Sequence, residues 1–85
     1  MPEICRFYGM VIYMYAVDHN PPHFHIHYGE YEAIMTLDGK IIAGKIPNRA
    51  TNLVLQWVAQ HREELMKNWE KATKMESLDS IEPLE

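Results

Sequence analysis

Four of the chain's five histidines fall in one short stretch: His19, then His23, His25 and His27, in the run Asp18-His19-Asn20-Pro21-Pro22-His23-Phe24-His25-Ile26-His27-Tyr28. Imidazole titrates near neutral pH and serves as acid, base and metal ligand. A strand over residues 23–28 would point alternate side chains to opposite faces. His23, His25 and His27 would then share one face, and Phe24, Ile26 and Tyr28 the other.

Such a row suits several kinds of chemistry. His23, His25 and His27 with Glu32 offer the nitrogen and carboxylate donors that zinc or iron accepts. Three alternate strand positions span about 13 Å, too far for one ion. The workable set is therefore two of these histidines with His19 or Glu32, holding a divalent transition metal. Metal-free cleavage of RNA needs less. One imidazole takes the proton of a ribose 2′-hydroxyl, and another group protonates the leaving oxygen. His19, His23 and His25 are the candidates for proton transfer, with no cofactor required. Arg6, Arg49 or Lys45 would contact the phosphate, and Tyr13 or Tyr15 would stack on a base.

Two plainer readings use the same residues. Ile34 and Ile41 share the histidine face, which suits a protein partner or a homodimer without catalysis. The histidines also fit as exposed strand residues. His61, on an apolar helix stripe, fits a satisfied boundary position, and Trp57, Trp69, Met10, Met14 and Met35 fit a core.

The elements that must position these groups follow from pattern. Phe7–Tyr15 is aromatic, β-branched and uncharged, as a buried strand requires, with a bend at Gly9. Asn20-Pro21-Pro22 forces a loop. Gly29-Glu30 is read as the turn of a hairpin joining residues 23–28 to 31–37, and Asp38-Gly39, the stronger signal with its type I′ preference, as the turn leading into a short strand over 40–43. The first turn sets His27 opposite Glu32 and His25 opposite Ile34. From Asn48 the period lengthens: Ala50, Leu53, Val54, Trp57, Val58, His61, Leu65, Trp69 and Ala72 form one stripe of a helix, with Asn48 or Thr51 as its cap. A straight helix of that length is long for so small a domain, so a break near Gln60–His61 is expected. The fold class is α+β: an antiparallel sheet of three to four strands, then one long or two short C-terminal helices packed on one face.

The 85 residues make one small domain, read as residues 1–75 followed by an acidic extended tail over 76–85. The formal charge of −4 resides in that tail, since acids and bases balance in residues 1–75. A broad basic groove is excluded, and a small basic site is not. The single cysteine, Cys5, forms no intramolecular disulfide, and the absence of a secretory pattern makes a reducing cytoplasm the expected compartment. No apolar run approaches the ~20 residues that span a bilayer.

The run Asp18–His25 belongs to a wider pattern: Met1-Pro2-Glu3-Ile4, Arg6-Phe7, Ile12–Tyr15, Tyr28-Gly29-Glu30, Gly44–Pro47, Arg49-Ala50, His61–Leu65, Asn68-Trp69 and Ile81–Glu85. In these residues the chain resembles a small prokaryotic family, number four-one-six-zero among domains of unknown function. The resemblance implies a component of a toxin–antitoxin module with a cognate small protein partner. It carries over no catalytic residues. Serine is more usual at the position of Cys5, which argues against a nucleophilic thiol.

Overall fold

The computed structural model describes residues 3–15 and 19–85, so Asp18 of the histidine motif lies outside the described residues. Among the described residues five strands, β1 (Glu3–Phe7), β2 (Met10–Tyr13), β3 (His23–Tyr28), β4 (Tyr31–Thr36) and β5 (Ile41–Lys45), precede one helix, α1 (Asn48–Thr73). Each strand pairs antiparallel with the next, giving a five-stranded meander in chain order.

The sheet is wider than the three to four strands expected. Phe7–Tyr15 is not one strand but the end of a hairpin, with Phe7 opposite Met10 and Tyr8-Gly9 as a two-residue turn. Both turn residues have positive φ, 48° and 79°. That backbone matches the right-handed twist of the flanking strands and suits glycine far better than tyrosine.

The next hairpin has the register that Gly29-Glu30 predicts, with Tyr28 opposite Tyr31, His27 opposite Glu32 and His25 opposite Ile34. The β4–β5 connection differs from expectation. It occupies Leu37–Lys40, and among its residues only Gly39 has positive φ, so Asp38-Gly39 is not a type I′ turn. Thr36 organises it, its carbonyl accepting from the Gly39 N–H at 2.9 Å and its Oγ1 from the Lys40 N–H at 3.1 Å. β5 then runs on to Lys45, through Gly44 at φ 71°.

The helix begins where the period changes. Pro47 is its N-cap, and no side chain caps it; Thr51 instead returns its hydroxyl to the Pro47 carbonyl at 3.2 Å. A straight helix of 26 residues would be about 39 Å long, against a largest molecular dimension of 33 Å. The expected break is present as a kink, with His61 at φ −127°, ψ 26° inside α1.

Phe24, Ile26, Ala33 and Met35 from the sheet meet Val54, Trp57, Val58 and Leu65 from the helix in one core, most of them with no exposed surface. Trp57 is its centre, its ring 5.4 Å from that of Phe7 and 5.9 Å from that of Phe24. Burying one such side chain contributes about 1.5–3 kcal/mol. Residues 76–85 carry no helix or strand, yet they are laid against the domain. Ile81 and Leu84 are buried in the same core. The Ile81 N–H donates to the Ile4 carbonyl at 2.8 Å, and the Trp57 indole donates to the Glu82 carbonyl at 2.9 Å. Buried Asn68 both donates to and accepts from the Asp79 backbone, each at 2.9 Å.

Candidate functional site

With α1 on one side of the sheet, the other side is open, and strand alternation decides what occupies it. Cross-strand pairs share a face. The pairs Arg6–Val11, Val11–His27, Tyr13–His25, His27–Glu32 and Glu32–Lys45 therefore put Arg6, Tyr13, His25, His27, Glu32 and Lys45 on the face away from the helix. Phe24, Ile26 and Met35 are on the covered face, as the sequence pattern requires.

Rings crowd the open face. The Tyr15 ring meets the His25 imidazole edge-on at 4.4 Å, and the Tyr13 ring meets that of His27 at 4.8 Å. The two tyrosines lie near-parallel, 6.4 Å apart. These four rings are half-buried and form a continuous aromatic and imidazole surface across β2, β3 and the segment after β2. His27 is turned toward Glu32, with Nε2 and Oε1 2.8 Å apart.

His23 does not join this surface as an open side chain. It is only 7% exposed and its ring lies 5.2 Å from that of Trp69. Its Nδ1 is 2.7 Å from the Pro21 carbonyl oxygen. A carbonyl only accepts, so Nδ1 carries the proton and Nε2 is the basic nitrogen of the neutral ring. The proline loop thus holds His23, and sets it at the edge of the core rather than on the open face. His23 and His25 keep ring contact at 5.4 Å, so the buried imidazole touches the accessible one. His19 is exposed, in the loop that leads into β3.

The two arginines separate. Arg6 shares the open face and forms a fork with Glu3, at 2.9 Å and 3.2 Å. That carboxylate raises the Arg6 pKa, first through the hydrogen bonds and then through its charge. Arg49 is on the helix side. With Tyr8, Met10, Tyr28 and Leu53 it lines a cavity of about 300 Å³ between the β1–β2 turn and the start of α1. It cannot serve one phosphate together with the histidine row.

Among the described residues, no three of histidine, cysteine, aspartate and glutamate come together to hold a metal ion. His23, His25, His27 and Glu32 thus do not converge as one ligand set. The rings spread along and across the sheet, and His23 is drawn inward. Cys5 is buried, and burial pushes its thiol pKa up from 9.0, which keeps it protonated and a poor nucleophile. His61 is satisfied by Glu64, Nδ1 to Oε1 at 2.6 Å, beside Trp57.

Sequence reasoning named Tyr15 only as a stacking alternative and gave Glu3 no role. Glu3 comes opposite Tyr13 only through an irregularity in β1 between Glu3 and Cys5, which shifts the register that the Tyr8-Gly9 turn sets, and no local sequence signal marks it.

The model of one protein family, described as "Domain of unknown function (DUF4160)", matches residues 9–70. The chain belongs to that family. Comparison with the curated proteins and with the solved structures finds no match. No helix among the described residues is long and apolar enough to cross a membrane.

Proposed function

We propose that this protein acts on single-stranded RNA as the toxin-type component of a toxin–antitoxin pair, with the open sheet face as its RNA-binding surface. The observation that carries this reading is the pairing of imidazoles with tyrosine rings there, Tyr15 with His25 and Tyr13 with His27. Unpaired bases stack on such rings, and each stacked base contributes about 1–3 kcal/mol.

The cleavage chemistry is metal-independent. His25 accepts the proton of a ribose 2′-hydroxyl. The 2′-oxygen attacks the adjacent phosphorus, and the P–O bond to the 5′-oxygen breaks. That oxygen takes its proton from a second imidazolium, for which exposed His19 is the candidate. The products are a 2′,3′-cyclic phosphate and a 5′-hydroxyl. His23 holds the His25 ring from beside it. Arg6 contacts the phosphate by exchanging Glu3 for it, an exchange of one exposed charge-assisted pair for another.

The test incubates purified protein with a single-stranded RNA oligonucleotide in the presence of a chelator, beside the variants His25→Ala and Tyr13→Ala. Cyclic-phosphate products lost in His25→Ala, with weakened binding in Tyr13→Ala, support the proposal. Binding without cleavage removes the catalytic half. Neither binding nor cleavage removes the reading altogether and leaves a non-catalytic partner role, which the exposed Ile41 and Ile42 of β5 favour.

A further inference from the structure

The two edges of the sheet are treated differently. The β1 edge is covered by the chain itself: residues 79–84 run past it, tied by the Ile81 N–H to the Ile4 carbonyl at 2.8 Å. The covering segment is extended and mixes buried Ile81 and Leu84 with exposed Asp79 and Glu82. Among the described residues none covers the β5 edge in this way, and all five of its residues are exposed.

That open edge is apolar in its middle and basic at its ends. Ile41 is 37% exposed, and Ile42, which the register shift leaves without a partner on β4, is 51% exposed. Leu55 of α1, also 37% exposed, lies close against the β4–β5 turn, where a Cβ on Gly39 would sit 2.9 Å from its Cδ2. Lys40 and Lys45 flank the strip. Glu32 is opposite Lys45 in the ladder, but its carboxylate is turned to His27. Lysines on an edge strand act against pairing with a like edge. Two copies of β5 placed antiparallel would bring the Lys40 end of one beside the Lys45 end of the other, and like charges opposed across strands repel.

We propose that the β5 edge is a strand-addition site for an extended segment of another protein, apolar at alternate positions and acidic at both ends. Backbone hydrogen bonds to β5 supply the affinity, and Lys40 and Lys45 select the charge. A strand seated there sends alternate side chains over the open face, where His25, Glu32, Ile34, Ala43 and Gly44 line a cavity of about 230 Å³ beside the edge. The binding itself does not depend on RNA chemistry.

The probe is a blocked peptide of alternating valine and threonine with two glutamates at each end, compared with its twin carrying lysines there. The acidic peptide is expected to bind about tenfold more tightly and to slow amide hydrogen exchange at Ile41–Lys45. The double variant Lys40→Glu/Lys45→Glu, with an unchanged circular dichroism spectrum, should reverse the preference. Equal binding of the two peptides, or protection at Glu3–Phe7 instead, overturns the proposal. So does a dimer of the protein alone with Ile41–Lys45 protected, which would make the occupant a second copy. The peptide assay contains no RNA, so its failure is distinct from failure of the cleavage assay.

Discussion

His27 Nε2 and Glu32 Oε1 are 2.8 Å apart on neighbouring strands, a contact fixed by the short Gly29-Glu30 turn between them. The imidazole is half-buried and the carboxylate largely exposed, and pairs open to solvent contribute about 0–1 kcal/mol. Glu32→Gln should therefore leave the urea midpoint of unfolding nearly unchanged, with a loss below about 0.5 kcal/mol. A loss several times larger would mean that the pair organises the hairpin rather than decorating it.

His23 and His25 should respond differently to removal. His23 is buried, bonded to the Pro21 carbonyl and packed against Trp69, whereas His25 is half-buried on the open face. His23→Ala removes a buried hydrogen bond and packing at once, and should cost about 2–4 kcal/mol. His25→Ala should cost under about 1 kcal/mol. Thermal unfolding of both variants checks this. It also decides which histidine substitution can report on function without unfolding the protein.

Gly44 is required by β5. Its φ is 71°, and a Cβ there would run into the Glu32 carbonyl oxygen, a backbone atom that cannot swing away. Gly44→Ala should destabilise by at least about 1–3 kcal/mol and loosen the β4–β5 ladder. Amide exchange at Ala33 and Ile34 would read that loosening. A substitution tolerated without loss would show that the strand can pair in another register.

Asn68 ties the C-terminal segment to the helix with two backbone hydrogen bonds while almost fully buried. Asn68→Ala leaves the Asp79 N–H and carbonyl without these partners, and should cost about 2–4 kcal/mol. Nearby Lys71 reaches the Asp79 carboxylate at 2.6 Å, but that carboxylate is largely exposed. Lys71→Ala should cost under about 1 kcal/mol. Denaturant curves for the two variants should separate accordingly; equal losses would sink the distinction.

What the sequence disclosed followed from local rules. Gly29-Glu30 set the β3–β4 register, alternation put Phe24 and Ile26 in the core, and the change of period at Asn48 began the helix. What it concealed depended on contacts distant in the chain. The Tyr8-Gly9 turn stayed hidden because tyrosine seldom takes positive φ and the residues on either side are equally apolar. The burial of His23 depends on Trp69, far along the helix. The separation of Arg49 from Arg6 depends on which face of the sheet the helix covers. Ile81 and Leu84 were masked by the acidic residues around them, although Trp57 needed a hydrogen-bond acceptor for its indole and found one at Glu82.

That bond gives the molecule an intrinsic optical gauge. The indole of Trp57 is roofed by the segment that holds Glu82, so any event that peels the segment from β1 lets water reach the ring. Emission should then shift to the red before the helix itself melts, and the closure of one sheet edge can be followed in solution without a label.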